Sequence, residues 1–93
     1  MMELGNTIRE IRTKKGITQK DLAERSGLSA NALCNIEKGY SFPPKETIKA
    51  ICDALEIPVS LLLFSCITDE DIPEDKRYAF SILREPILKV FGL

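Results

Sequence analysis

Apolar residues recur along the first two thirds of the chain at steps of three and four, and each run is bounded by a glycine, a hydroxyl residue or a proline. Leu4, Ile8 and Ile11 share one face, basic residues lie elsewhere and Gly16 follows, which predicts a first helix over residues 4–15. Thr18 is an N-cap for a second helix, with Asp21 as its acidic partner three residues on. Leu22 and Ala23 form the buried side of that helix, and Gly27 supplies the left-handed position that ends it. Ser29 caps a third helix in which Leu33 and Ile36 point inward until Gly39 stops it. Pro44 is placed to open a fourth, whose Ile48, Ile51, Cys52 and Leu55 make a compact stripe, and Pro58 starts a short fifth carrying Leu61 and Leu62. No strand pattern of any length survives.

The tail has a different character. Residues 68–71 are acidic and read as a linker. After Pro73 an apolar stripe of Ala79, Ile82, Leu83, Pro86, Ile87, Val90 and Phe91 repeats at helical steps. Pro86 lacks an amide proton and disfavours helical geometry at Glu85, so two helical pieces with a common apolar side are expected rather than one straight rod. The expected architecture is all-α: five helices in residues 1–66 and a short helical extension in residues 67–93.

Ninety-three residues, 44% hydrophobic and 29% charged, fit one small globular domain with an appendage, burying only about 60–65% of its unfolded surface. Charges in the first ten residues replace the apolar run a signal peptide needs, and the longest apolar run, residues 59–64, is too short to span a bilayer. A soluble, cytoplasmic protein is expected. Cys34, Cys52 and Cys66 form no CxxC pair and there is no histidine, so neither a metal site nor a cofactor is expected. Cys52 falls on a core face, Cys34 is expected exposed, and Cys66 in a connecting segment. The missing histidine, glycine-rich phosphate loop and activated cysteine also argue against an enzyme.

A net charge of −1 conceals an asymmetry. Residues 6–45 carry eight basic side chains against four acidic ones, whereas residues 67–93 carry four against six. The basic part coincides with residues 18–39, TQKDLAERSGLSANALCNIEKG, which read as two short helices around a glycine turn. A helix-turn-helix needs a small residue at the crossing, a left-handed turn residue and buried aliphatics beneath the second helix; Ala23, Gly27 and the Leu33/Ile36 pair meet those needs. The opposite face of the third helix presents Asn31, Cys34, Asn35 and Lys38. Asparagine bonds the N6/N7 edge of adenine bidentately, and the methyl of Ala30 or Ala32 suits thymine.

At this point the chain resembles the phage-repressor, Cro/cI-like (lambda-repressor-like) helix-turn-helix family. The match is carried by Gln19, Leu22, Ala23, Gly27, Ser29, Leu33, Ile36, Glu37, Gly39 and Pro44, then Ile48, Ile51 and Leu55, and it covers residues 4–64. The resemblance implies that Gln19 bonds a phosphate and braces the recognition helix. It implies that Ser29, Ala30, Asn31 and Asn35 approach base edges or flanking phosphates, and that Lys38, Tyr40, Ser41 and Lys45 meet the backbone; Thr18, beside Gln19, joins this candidate set. It also implies an ion pair between Arg12 and Glu37. Ala30 departs from the long polar residue found first on the recognition helix of several members, which shifts readout to Asn31, Asn35 and DNA shape. The function so implied is a sequence-specific DNA-binding transcriptional regulator, a repressor acting as a homodimer on a palindromic operator, with Ala79, Ile82, Leu83, Ile87, Val90 and Phe91 as the pairing surface and residues 61–64 adjoining it. The alternative is an antitoxin or adaptor of the same fold, whose tail grips a toxin or the transcription machinery.

Overall fold

The computed structural model describes residues 2–93; Met1, the first residue of the expected 1–66 unit, lies outside them. The order is α1 (Leu4–Lys14), α2 (Gln19–Arg25), α3 (Ala30–Glu37), α4 (Lys45–Leu55), α5 (Val59–Ser65), single 3-10 turns at Asp69–Asp71 and Glu74–Lys76, and α6 (Arg77–Val90). The architecture is all-α, with no strand among the described residues. The helix starts follow local chemistry: Thr18 Oγ1 accepts from the Asp21 amide at 3.1 Å and Ser29 Oγ from the Ala32 amide at 3.0 Å. Pro44 and Pro58 occupy the N-cap positions of α4 and α5. Gly27 turns the chain at φ 71°, which brings the Leu28 amide back to the Ala23 carbonyl at 2.8 Å.

The core draws on every helix. Ile8, Leu22, Leu33, Ile51, Leu55 and Leu62 are fully buried, Cys52 lies among them, and Leu88 of α6 joins the same cluster. Burial pushes the Cys52 thiol up to about 11, which keeps it neutral and inert at physiological pH. Helix α3 is pressed against α1 at Gly5, where a Cβ would overlap the Ile36 carbonyl oxygen. That contact sets how closely α3 can lie on the core.

Three expectations are corrected. Cys34 is half-buried rather than exposed. Cys66 lies in the segment that leaves α5, as expected, and is buried there, its Sγ 3.4 Å from Thr7 Oγ1. Residues 68–71, expected as a linker, do connect α5 to the tail helix, and they do so as a capped 3-10 turn: the Thr68 amide donates to Asp71 Oδ2 at 2.9 Å, a bond that holds the Asp71 carboxyl below its ordinary value. Most consequentially, α6 runs unbroken from Arg77 to Val90 with Pro86 inside it. The proline removes one donor, whose partner would be the Ile82 carbonyl, but Ile82, Glu85 and Pro86 are exposed and water can take up that carbonyl. Both ends of the helix are also held. The rings of Phe64 and Phe80 pack with centroids 5.9 Å apart, and beyond the proline Leu88, Phe91 and Leu93 pack on the core. Phe91, counted in the exposed stripe by sequence, therefore serves the chain's own packing.

Gly5→Ala reverses the usual sign of a glycine substitution. In an open helix the change stabilises by up to about 1 kcal/mol, whereas here overpacking against α3 is expected to destabilise by about 1–3 kcal/mol. Urea unfolding followed by circular dichroism measures it, and an unchanged or raised midpoint would mean that α1 and α3 separate freely.

Candidate nucleic-acid interface

The outer face of α3 is defined by what its inner face buries. Leu33, Ile36 and Glu37 are buried, so Asn31, Asn35 and Lys38, at steps of four and three, lie on the other side of the helix. Asn31 and Lys38 are exposed and Asn35 is half-buried. Ala30, the departure from the family pattern, is exposed at the first turn beside Ser29. The helix is short, and its position is set by side chains reaching it from α1 and α2.

The strongest of these attachments converges on Glu37, whose side chain is only 3% exposed. Arg12 donates from Nε to Glu37 Oε2 at 2.9 Å and from Nη2 to Oε1 at 3.0 Å, a bidentate fork. Gln19 Nε2 donates to the same Oε1 at 3.2 Å. The remaining guanidinium nitrogen of Arg12 donates to the Ile17 carbonyl at 3.0 Å. One carboxylate at the end of α3 is thereby tied to α1, to the turn after it and to the first residue of α2.

The rest of the candidate set surrounds this hub. Thr18 and Ser29 are exposed at helix starts; each hydroxyl oxygen accepts a cap bond, which leaves its own O–H free to donate. The Tyr40 and Ser41 amides donate to the Asn35 carbonyl at 2.9 and 3.3 Å, folding the loop back onto the end of α3. Lys38 Nζ stands 5.9 Å from the Tyr40 ring centroid, and Tyr40, Ser41 and Lys45 are exposed. All ten candidate contact residues are thus at or near the surface around α3, with Gln19 and Asn35 the half-buried ones. The tail residues Ala79, Ile82, Leu83, Ile87 and Val90 are all exposed on α6.

A polar hollow of about 290 Å³ opens beside α3, lined by Arg9, Arg12, Gln19, Cys34, Glu37 and Lys38. Because Arg12 and Glu37 cancel each other, its electrostatic character comes from Arg9 and Lys38, neither of which forms an ion pair among the described residues. Cys34 was expected on this face of α3, whereas Arg9 was not expected in the site. Arg9 precedes Arg12 by three residues and so shares its side of α1, a signal the sequence did carry. No cluster of three or more His, Cys, Asp or Glu side chains capable of holding a metal ion occurs among the described residues.

A helix-turn-helix family model matches residues 8–62. The transcriptional regulator ClgR of Mycobacterium tuberculosis is 33% identical over 60 residues, covering 64% of this chain and 54% of ClgR. The immunity repressor protein of Bacillus phage phi105 is 37% identical over 62 residues, covering 67% of this chain and 43% of the repressor. The chain spans about half the length of these curated relatives. Among solved structures, the clp gene regulator ClgR from Corynebacterium glutamicum superposes with a TM-score of 0.67 at 27% identity, over 95% of this chain and 85% of that one, so the likeness extends over most of α6.

Replacing Glu37 leaves the Arg12 guanidinium without its partner in a largely buried position. Glu37→Met is expected to cost about 3 kcal/mol, and the double variant Arg12→Met/Glu37→Met much less than the sum of Glu37→Met and Arg12→Met alone. Denaturant titration of the four proteins checks it; additive losses would show that the two side chains act independently.

Proposed function

The chain belongs to the Cro/cI-type helix-turn-helix family, and from that premise we propose that it is a sequence-specific DNA-binding transcriptional regulator, a repressor acting as a homodimer on a palindromic operator. The observation that supports this reading is the stripe of Asn31, Asn35 and Lys38 on a helix whose other side is anchored by Leu33, Ile36 and the braced Glu37. An α-helix fits the major groove, and amide side chains present donor and acceptor together as adenine requires. Asn31 and Asn35 read base edges. Ala30 offers a methyl to thymine. Thr18, Gln19, Ser29, Lys38, Tyr40, Ser41 and Lys45 hold the sugar–phosphate backbone, positioning the helix without carrying sequence information themselves. Residues 1–66 form the reading unit in this proposal, and residues 67–93 the pairing element.

Two copies are part of the reading because one helix with two asparagines discriminates weakly. Half-sites about 34 Å apart would let two copies read the same groove one turn on. The exposure of α6 favours a second reading on the same fold, an antitoxin or adaptor whose tail grips a toxin or the transcription machinery. Leu83→Glu, on the exposed side of α6, separates the two: in that reading it abolishes capture of the partner and leaves operator affinity unchanged, whereas in the homodimer reading it weakens operator binding.

Selection of bound duplexes from a random library tests the main reading, and a recovered site with twofold symmetry is the expected result. Asn35→Ala is then expected to weaken specific binding by about 1–3 kcal/mol and to relax base choice at one position. Equal losses on specific and random duplexes would remove Asn35 from base readout. Lys38→Ala is expected to weaken binding to all sequences and lower the salt slope by about one; titrations between 50 and 200 mM salt, on the order used to resolve such slopes, measure it, and an unchanged slope would remove Lys38 from the phosphate contacts.

A further inference from the structure

We propose that the outward face of α6 is covered by α6 of a second copy of this chain, the two helices packing antiparallel about a twofold axis that passes by the Arg84–Glu85 peptide. This deepens the homodimer in the function proposed above and rests on it.

Helix α6 is apolar on two sides, and only one is used by its own domain. The inner side follows Phe80, Arg84, Leu88 and Phe91, at steps of four, four and three. Phe80 packs on Phe64, Arg84 Nη2 donates to the Ser65 carbonyl at 3.4 Å, and Lys15 Nζ of α1 donates to the Phe91 carbonyl at 3.2 Å. Leu88 is buried beneath them. On the outer side Ala79, Leu83, Pro86 and Val90 succeed one another at steps of four, three and four, the spacing of a seam between paired helices. Ile82 and Ile87 flank it. At 100° per residue this seam is centred roughly 125° around the helix from the inner side, far enough for the helix to dock on its domain and on a partner at once.

The sizes of the residues along the seam select an antiparallel second copy. Leu83 and Pro86 are equidistant from the Arg84–Glu85 peptide, and so are Ala79 and Val90. A twofold interface uses one patch twice and must match that patch to its own inverse. Antiparallel overlap sets Leu83 against Pro86 of the second copy and Ala79 against its Val90, large against small in both layers. Parallel overlap would set Ala79 on Ala79 and Leu83 on Leu83, one layer underfilled and the next crowded.

The area is sufficient. Tyr78, Ile82, Leu83, Ile87 and Val90 are each 42–79% exposed, amounting to roughly 500 Å² per copy and on the order of 1,000 Å² for a pair, the size at which specific interfaces begin. Pro86 also gains a role in the seam. It has no amide to leave unsatisfied there, and its ring is a compact apolar surface for Leu83.

The test uses the full chain. By sedimentation the unaltered protein is expected to be a dimer at tens of micromolar. Leu83→Glu is expected to raise the dimer dissociation constant about 30-fold or more while keeping the far-ultraviolet circular dichroism and the shift of an oligonucleotide at low salt. Phe42→Glu, in the other large apolar surface, a groove of about 420 Å³, is expected to leave dimerisation unchanged. For register, Ala79→Cys and Val90→Cys are made separately in a Cys34→Ser background, Cys52 and Cys66 being buried. Mild oxidation of the mixture is expected to crosslink several-fold more than either alone. A monomer at these concentrations, dissociation by Phe42→Glu instead of Leu83→Glu, or self-crosslinking of Ala79→Cys above that of the mixture would each overturn the proposal. A crosslinked α6 pair in a protein that binds no duplex would uphold it and overturn the DNA-binding reading alone.

Discussion

A carboxylate removed from water at the end of α3 governs the geometry of everything around it. Glu37 is buried with three donated hydrogen bonds, two from Arg12 and one from Gln19. Desolvating two ions offsets most of their attraction, so such a pair adds little net stability over an apolar substitute of the same volume. Its effect is on uniqueness. Once Glu37 is buried, only a fork of donors at the right height satisfies it, and Arg12 reaches that height only if α1, α3 and the turn at Ile17 keep their mutual positions. Gly5 supplies the complementary constraint by letting the α3 backbone approach α1 to contact distance. Attraction and steric limit together leave α3 one place to be.

That fixation is what the proposed reading role demands of a helix of eight residues. An isolated helix of this length is marginal in water, and side chains on a wobbling rod cannot discriminate between base edges. Here the cap at Ser29 secures one end, and the Arg12–Glu37–Gln19 cluster with the Tyr40 and Ser41 amides secures the other. Gln19 has a double position in the proposed function: its amide braces Glu37 from inside while it lines the hollow shared with Arg9 and Lys38. A phosphate held there would be coupled mechanically to the helix that reads the bases.

Sequence periodicity carried the helix-turn-helix well because local rules and tertiary packing agree there: Thr18 and Ser29 cap, Gly27 turns, and Leu22, Leu33, Ile51 and Leu55 are buried where their spacing places them. What escaped it depends on contacts between distant segments. Gly5 looks like an ordinary helix-start glycine until Ile36 is beside it. Cys66 is 59 residues from Thr7 along the chain, yet its thiol faces it. Glu56 takes the left-handed C-cap position of α4 at φ 59°, where a glycine would have been the signal. Leu88 was overlooked because the stripe traced through α6 followed its outer side. Pro86 was weighed for its local cost, and docking on both sides of it decided otherwise.

The docking of α6 also links assembly to recognition. Lys15 closes α1 and bonds the Phe91 carbonyl, while Arg12, one turn earlier on the same helix, holds Glu37. The inner side of α6 therefore rests on the helix that positions α3, and its outer side is free to engage a second copy. In the proposed dimer the two recognition helices are connected through α6, the crossing of α6 on its twin, and the α1 and α5 residues on which α6 rests. Rigid docking at Leu88 and Phe91 would hold the two α3 helices at one separation and favour one half-site spacing. Looser docking would tolerate several spacings at the expense of discrimination. The side chains that set operator spacing in this proposal thus lie far from any base, in the contact between the tail and the first helix.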